Sequence, residues 1–381
     1  METAEKTQEQ AQLLKNRIAK NHKALRKWAR KNLVTAYRLY DRDIPEIPLA
    51  VDLYEFLPDG VQNPADASAF LQEQAAAESE NQPGAAARRL ERTFLKVFLF
   101  ERPYEKPEEE ERAWLAAMTD ALSECLGVDK GRIAAKTRAR EKGGSQYAKD
   151  QKAFQDHKAP QAQKFCGRVY ENGSIFFVDL DSYLDTGLFL DMRKARAMIK
   201  ERAAQKRVLN LFCYTSSFSV AAALGGAAFV QSVDLSNTYL DWSKENFRLN
   251  GLDPNGYEWT KADAIKFLDE RAKSASQRSA QGRDDSAAPF DIIILDPPTF
   301  SNSKSAQNDL DTKRDWPILC KNCLALLKSG GSLYFSTNAK TLKFDPARLP
   351  GARCSDITEQ TIDEDFKQKK SHRMWLLQNA E

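Results

Sequence analysis

The sequence predicts an α/β protein: a doubly wound parallel sheet, preceded by a small α+β domain and a basic N-terminal helix. Two observations predict the parallel sheet. From residue 183 onward, short apolar segments alternate with segments of helical pattern. One apolar run, Ile292 to Leu295, lacks polar alternation and ends at Asp296, Pro297 and Pro298. An apolar run without polar alternation is typical of a strand that is covered on both faces. Because proline cannot extend a β-ladder, this strand is expected to end at Asp296, at the carboxyl edge of the sheet.

Five segments are expected to form this sheet, because each is a short apolar run bounded by polar or turn residues. They are residues 207–214, 229–236, 256–263, 290–298 and 332–338. The polar stretch 273–289 is predicted to interrupt the sheet domain as a loop.

A smaller α+β domain is predicted from residue 36 to residue 182. Its expected elements are strands at 49–56, 93–104 and 132–139, a helix at 107–126 and a hairpin at 168–180. Asn172-Gly173 is the turn signal of the hairpin. Residues 60–89 are rich in Ala, Gln, Pro and Glu without a sustained period, which predicts a loosely held insertion.

Residues 1–35 are predicted to form a basic helical arm. Five apolar residues recur at helical spacing, and the cations occupy the remaining surface; the apolar residues are Leu14, Ile18, Leu25, Trp28 and Ala29. A basic face of this kind favours a polyanion, although a solvated helix is the alternative. A second basic cluster surrounds Gly143 and Gly144, and a third holds Lys367, Lys369, Lys370 and Arg373. The candidate RNA-binding residues are Lys20, Lys23, Arg26, Lys27, Arg30, Lys136, Arg138, Arg140, Lys142 and Tyr147.

Composition bounds the remaining possibilities. The chain has 381 residues, 42% of them hydrophobic and 29% charged, with a net charge of +3. It contains no apolar stretch long enough to span a bilayer, and its polar start does not resemble a signal peptide, so a cytoplasmic location is expected. Cys320 and Cys323 are spaced C-x-x-C without further ligands nearby, which predicts packing residues and no metal site.

The first strand of the sheet is followed by residues 210–220, which contain no glycine. A dinucleotide site needs glycines there to close the backbone on a pyrophosphate, so a ligand without phosphates is favoured. S-adenosylmethionine fits, because its cationic groups and the hydroxyls of its ribose all interact favourably with carboxylates. Asp234, Asp263 and Asp296 follow successive strands. Each alone could instead be a helix N-cap.

The chain resembles the bacterial ribosomal RNA methyltransferases that join a Rossmann-type catalytic domain to a small α+β domain. It is most similar to the guanine-N7 methyltransferase half of a fused 23S rRNA methyltransferase. The resemblance rests chiefly on "KTRAREKGGSQY", "SYLDTGLFLDMR", "VLNLFCYTSSFSVAAALGGA", "VDLSNTYLDWSKENFRLNGL" and "LDPPTFSNSK". Ser216 and Ser217 stand where that family usually has a glycine. The second methyltransferase of the fusion is absent, which predicts a stand-alone version.

The resemblance implies a role for each matching position. Segment 186–193 would close over S-adenosylmethionine through Thr186, Phe189, Asp191 and Arg193. The methionine portion would contact Asn210, Phe212 and Tyr214, the ribose Asp234, and the adenine Asp263 and Ala264. The catalytic residues would be Asp296, Pro297, Pro298 and Phe300, with Asp296 facing both cofactor and base. The implied partner is 23S rRNA or an assembling large ribosomal subunit, with a monomer favoured.

Two alternatives remain open at this stage. Cytosine-C5 methylation needs a cysteine thiolate to attack C6 of the base, whereas the lone pair of guanine N7 attacks unaided. The strand after Asp296-Pro-Pro carries Ser336 and no cysteine, which favours N7. A non-catalytic RNA-binding or ribosome-assembly factor is the second alternative. The acids at the strand ends argue against it.

Overall fold

The computed structural model describes residues 2–102, 104, 106–138, 165–183, 185–280, 289–301 and 310–380. The chain forms two compact units. The first takes its described residues from the ranges 1–142, 152–190 and 364–369, and the second from 143–151, 191–363 and 370–381. Across the described residues, no helix is long and apolar enough to cross a membrane.

The first unit contains a four-stranded sheet in the order β1-β2-β3-β4. Its strands are β1 (Ala36–Asp41), β2 (Leu49–Glu55), β3 (Thr93–Phe100) and β4 (Ile133–Arg138). The first three are antiparallel, and β4 is parallel to β3. A parallel neighbour requires a crossover. The helix Glu108–Leu126, labelled α4 below, lies in that crossover. The predicted hairpin is confirmed as β5 (Cys166–Glu171) and β6 (Ser174–Asp179), with left-handed Asn172 and Gly173 at its turn.

The N-terminal helix α1 (Glu2–Lys31) packs by its apolar stripe. Leu14, Ile18 and Ala29 are fully buried in the core of the first unit, and Leu25 and Trp28 pack partly buried against it. α1 packs against α4. The apolar residues that recur at helical spacing therefore form the buried face of this helix.

The prediction of a loose insertion at 60–89 is wrong. This segment holds α2 (Pro64–Ser79) and α3 (Ala85–Leu90), and Asn63 caps α2 by accepting a hydrogen bond from the Asp66 N–H at 3.0 Å. The buried Glu55 carboxylate accepts from Gln74 at 2.6 Å and from Arg89 at 2.7 Å, which fixes both helices to β2. α2 lacks an apolar stripe, so periodicity gave no signal. Its Ala, Gln and Glu content was the available sign of a helix.

The second unit is built on a seven-stranded sheet in the order β14-β15-β13-β10-β7-β8-β9. The strands are β7 (Arg207–Leu211), β8 (Phe229–Asp234), β9 (Glu258–Lys261), β10 (Phe290–Leu295), β13 (Leu327–Thr337), β14 (Ala352–Asp356) and β15 (Arg373–Asn379). All five predicted strands are present. The sheet is not wholly parallel, because β15 runs antiparallel to both of its neighbours.

The helices of this unit cover the sheet. They are α5 (Arg193–Arg202), α6 (Ser217–Leu224), α7 (Asn237–Leu249), α8 (Ala264–Ala280), α9 (Thr312–Leu324) and α10 (Thr358–Thr361). The expected loop at 273–289 is wrong in its first half, because α8 continues to Ala280. Cys320 and Cys323 lie on α9, fully buried in the main core, as expected for packing residues.

Candidate active site

The order of the strands creates a crevice at the carboxyl edge of the second sheet. From β7 the chain builds outward through β8 and β9, then returns to place β10 on the other side of β7. This is a topological switch point, where the loops that follow β7 and β10 diverge and leave room for a ligand. Apart from Asp191 and Arg193, the predicted site residues of this unit lie on those two loops and at the ends of the adjacent strands.

The loop after β7 is unusual in its backbone. Phe212, Tyr214 and Ser216 have positive φ angles of 54°, 52° and 59°, a left-handed conformation that residues with a Cβ rarely adopt. Each such residue costs on the order of 1–2 kcal/mol. The position where the related family usually has glycine is thus kept in a glycine-like conformation by the fully buried Ser216.

Asp234, at the end of β8, holds this loop in place. Its carboxylate accepts hydrogen bonds from the backbone N–H groups of Tyr214 and Ser236, both at 2.9 Å. The side chain is buried and forms no ion pair within the described ranges. Burial raises the pKa of Asp234 to about 6, although the backbone donors oppose the shift. A buried acid that has backbone donors but no cation suits a ligand that brings hydroxyl groups or positive charge.

Three other predicted cofactor contacts of this sheet have structural partners. Asn210 is buried and donates to Ser219 Oγ at 2.9 Å, which ties β7 to α6. Asp263 accepts from the Ile265 N–H at 2.9 Å at the start of α8, as an N-cap does. Ala264 is buried in the core. One oxygen of Asp263 therefore already accepts a hydrogen bond within the fold, and the Asn210 side chain is bonded to a residue of the helix that covers the sheet.

Asp296 follows β10 and is held from the neighbouring strand. Ser336 Oγ on β13 donates to Asp296 Oδ1 at 2.5 Å. Burial raises the pKa of Asp296 to about 6, the Ser336 hydrogen bond opposes this rise, and the nearby Asp191 carboxylate adds to it. The sequence showed Ser336 only as a missing thiol. The structure shows it as the residue that orients Asp296.

The segment after Asp296 presents an aromatic ring. Pro297 is buried, and the Pro298 carbonyl accepts from Thr312 Oγ1 at 2.6 Å. Phe300 pairs with Asp311 in a two-stranded ladder formed by β11 (Phe300–Ser301) and β12 (Leu310–Asp311). Its side chain is 57% exposed, so the ring does not serve as a packing plug. An exposed ring on a braced loop offers a stacking surface for a base.

A cluster of buried charges lies beside Asp296. Arg193 on α5 is buried and donates to Asp363 Oδ2 at 3.0 Å. Asp191 Oδ2 lies 3.3 Å from Nδ1 of His372. Sequence analysis predicted Asp191 and Arg193 but missed Asp363 and His372, which follow them by 170 residues or more and leave no local signal.

Two predicted cofactor residues belong to the first unit. The Thr186 hydroxyl lies 3.0 Å from the Tyr54 hydroxyl and is buried. Phe189 is 42% exposed. Tyr54 is a further residue that the sequence did not single out, and it fixes the side chain of Thr186.

The predicted RNA-binding residues fall into three groups. Lys20, Lys23, Arg26 and Lys27 are exposed on α1, and none forms an ion pair within the described ranges. By contrast, Arg30 is half-buried and pairs with Glu78, and Lys136 donates to the Tyr183 carbonyl at 3.0 Å. The remaining four lie outside the described residues or have undescribed side chains: Arg138, Arg140, Lys142 and Tyr147.

The third basic patch is compensated in the structure. Lys367 and Lys370 pair with Glu364 and Glu359, and Lys369 donates to the Asp41 carbonyl at 3.1 Å. Arg373 donates to the Leu342 carbonyl at 2.8 Å. These four cations therefore have partners in the fold, whereas Lys20, Lys23, Arg26 and Lys27 of α1 form no ion pair with the described residues.

Comparison with known proteins agrees with this geometry. Residues 165–353 match a family described as S-adenosylmethionine-dependent methyltransferase. The chain is 39% identical to the ribosomal RNA large subunit methyltransferase K of Neisseria meningitidis serogroup B, over 96% of this chain and 86% of that protein. The chain belongs to the ribosomal RNA large subunit methyltransferase K family. As a member of a methyltransferase family, it uses S-adenosylmethionine as its cofactor.

Other relatives of this family are longer. The chain is 39% identical to the ribosomal RNA large subunit methyltransferase K/L of Cellvibrio japonicus over 97% of this chain, but spans only 43% of that protein. A solved structure of a methyltransferase with bound SAH shares the fold at a TM-score of 0.63 and 21% identity, covering 96% of this chain and 81% of that one. A solved structure of a protein from Streptococcus mutans, described as a SAM-dependent methyltransferase, shares the fold at a TM-score of 0.62 and 20% sequence identity. The predicted Rossmann-type fold is thus confirmed.

Proposed function

We propose that this protein methylates N7 of a guanine in 23S rRNA, either free or within an assembling large subunit, in the cytoplasm. The family name supports an RNA of the large subunit as substrate. The choice of N7 rests on one observation, the state of the thiols. Desolvation raises the pKa of all six cysteines of the chain, namely Cys125, Cys166, Cys213, Cys320, Cys323 and Cys354.

That observation disfavours the cytosine-C5 reaction, because the nucleophile there must be a thiolate. Cys213 lies in the loop after β7, but it is buried and its pKa is raised well above the ordinary value. Ser336 contacts Asp296 directly. Asp296 is held by the Ser336 hydroxyl and has no thiolate beside it, which suits a nucleophile such as guanine N7 that needs no covalent catalysis.

The residues of the crevice fit the cofactor and the reaction. When bound, S-adenosylmethionine supplies a methyl group on a cationic sulfur, and transfer to N7 moves that positive charge to the purine without moving a proton. Asp234 would accept from the ribose hydroxyls, and Asp296 would place a carboxylate beside the charge that develops on the base. Phe300 would stack on the extruded guanine. Catalysis is then chiefly alignment in a water-poor crevice.

Thr186, Phe189, Asp191 and Arg193 are proposed as further cofactor contacts. The RNA contact is proposed for the exposed cations of α1, because Lys20, Lys23, Arg26 and Lys27 remain available to phosphates. Arg30 and Lys136, which have partners in the fold, would contribute less.

The experiment is transfer of labelled methyl groups to unmodified large-subunit rRNA, followed by borohydride reduction and aniline cleavage. N7-methylguanosine is labile to this treatment, so scission at one guanine is expected. The matched control replaces Cys213, Cys320, Cys323 and Cys354 with serine and should keep methyl transfer to the same nucleotide. Label recovered as 5-methylcytidine, or activity abolished by the serine variant with its fold intact, would contradict the proposal. Cofactor binding without transfer to any RNA would favour the non-catalytic factor.

A further inference from the structure

The segment that follows β10 is tied to two neighbouring elements at the carboxyl edge of the second sheet. The Thr299 hydroxyl donates to Asn338 Oδ1, in the loop after β13. The Thr299 carbonyl accepts from the Thr312 N–H at 3.1 Å, at the start of α9. The residue that precedes the exposed Phe300 is therefore held between the loop after β13 and the first turn of α9.

The loop after β13 is itself braced. The Leu342 N–H donates to the Ala339 carbonyl at 3.0 Å, which closes a turn with Lys340 at its first central position. Two residues further on, the Phe344 ring stacks on the Trp375 ring, with the ring centroids 4.5 Å apart. Lys340 is therefore presented from a fixed backbone, so a ligand that it contacts does not have to order the loop first.

Three exposed lysines lie on these two elements. Lys313 is in the first turn of α9, one position after Thr312, and Lys340 and Lys343 are in the loop after β13. None of the three forms an ion pair within the part of the chain that the structure describes. The exposed ring of Phe300 thus has free cations on the elements that hold it from either side.

The acids of the same stretch of chain are already engaged. Residues 310–350 contain seven lysines and arginines but three acids, an excess of four positive charges, whereas the whole chain has an excess of three. Asp311 and Asp345 cap the helical turns that follow them, each by accepting a backbone N–H at 3.0 Å. Asp315 is paired with Arg314, which lowers its pKa. Positive charge is therefore concentrated on this stretch.

We infer that Lys313, Lys340 and Lys343 form a phosphate-binding rim, which holds the RNA backbone on both sides of the nucleotide stacked on Phe300. Cations that flank an exposed ring suit single-stranded nucleic acid, because the ring takes a base while the cations take the adjacent phosphates. An acidic protein surface would engage the lysines but would leave the ring unused. The inference rests on the proposed function, since it takes RNA as the substrate.

The test measures binding of a fluorescent single-stranded RNA of about ten nucleotides with a central guanine, a length within the usual site size of such surfaces. Each phosphate contact on a single strand contributes about 0.7 to the slope of log K against log salt concentration, so Lys313→Gln with Lys340→Gln should lower the slope by about 1.4. Adding Lys343→Gln should lower it further. The Kd for SAH should stay the same in these variants.

The matched control is Lys206→Gln with Lys328→Gln, which removes the same charge at the opposite, amino edge of the sheet and should keep the slope. Phe300→Ala should weaken binding without changing the slope, because stacking on a neutral ring releases no counterions. Unchanged affinity in Phe300→Ala would mean that the ring and the lysines do not share a ligand, which would overturn the inference.

The inference is also overturned by an unchanged slope in the rim variant, by an equal fall in the control, or by no binding of this RNA to the wild type. Equally tight, rim-dependent binding of polyglutamate would show an unselective anion surface and would overturn it too. If the slope depends on the rim but no methyl group reaches N7, the proposed function fails and this inference stands. If N7 is methylated and the slope does not depend on the rim, this inference alone fails.

Discussion

Asp234 should make cofactor binding depend on pH in a calculable way. Its pKa is about 6 because it is buried, so the unliganded acid ionises only above that pH. The ionised form is the stronger acceptor for ribose hydroxyls and the better neighbour of a cation. At pH 5 only about a tenth of the molecules carry the ionised acid, so the Kd for S-adenosylmethionine should be about tenfold higher than at pH 7.5.

Replacement of Asp234 by Asn should weaken binding at every pH. The Tyr214 and Ser236 N–H groups donate to different oxygens of the carboxylate, Oδ2 and Oδ1, so the single oxygen of an amide keeps only one of these hydrogen bonds. The neutral amide oxygen is also the weaker partner for the ribose. Loss of a charge-assisted hydrogen bond costs about 1.5–3 kcal/mol, which is about 10- to 150-fold in Kd.

The assay is calorimetry at pH 5, 6 and 7.5 at constant ionic strength. Asp296 has a similar pKa of about 6, so Asp296→Asn is the necessary control. The pH dependence should persist in Asp296→Asn and largely disappear in Asp234→Asn. A Kd that is constant from pH 5 to 7.5, or that varies equally in both variants, would refute the role of the Asp234 charge.

Three further predictions concern the RNA face, the exposed ring and the second acid. Changing Lys20, Lys23, Arg26 and Lys27 of α1 to Glu should weaken RNA binding and flatten its salt dependence, with cofactor affinity unchanged. Lys266→Glu with Lys273→Glu on α8 is the control, and equal RNA affinity would mean that α1 is only a solvated helix. Phe300→Ala should lower the rate of methyl transfer while the SAH Kd stays constant, and Phe300→Trp should restore it; an unchanged rate in Phe300→Ala would exclude stacking. Asp296→Asn should raise the free energy of unfolding of the unliganded protein at pH 7.5 by up to about 3 kcal/mol, measured by urea unfolding. The reason is that the pKa of Asp296 is raised in the folded protein, so ionising this acid destabilises the fold as the pH rises from about 4 to 6. That difference should vanish near pH 4, and equal stability of both proteins at pH 7.5 would show that the buried charge costs nothing.

Local pattern was sufficient for the elements whose hydrophobic period is strong. The strand ending at Asp296 and the stripe of α1 follow directly from the spacing of apolar residues. α2 was missed because its burial is sparse, with Ala67 and Leu71 its buried residues. β15 was missed because it pairs antiparallel between β13 and β14, and no βαβ pattern announces such a strand.

The residues of the candidate site also divide into those that local pattern predicts and those that depend on contacts between distant segments. The positions of Asp234 and Asp296 at the crevice were predictable, because each acid lies at the end of a strand and strand ends determine the crevice. Ser336 and His372 were not, since their roles depend on contacts with Asp296 and Asp191, which are 40 and 181 positions away. Asn210 was placed on the correct strand, but its side chain points to Ser219, a contact within the layer that the sequence pattern cannot distinguish from a ligand contact.

The ion pairs that hold α2 and α3 have a consequence for how α1 responds to salt. Arg30 joins α1 to Glu78, whose side chain is 4% exposed, and Arg89 joins Glu78 to Glu55, which is 1% exposed. Pairs this sheltered are little screened by ions, whereas exposed cations lose most of their reach within about 10 Å at 0.1 M salt. Raising the ionic strength should therefore strip polyanions from the outer face of α1 while its attachment persists. A salt wash becomes a way to recover the protein free of nucleic acid with its N-terminal helix still docked.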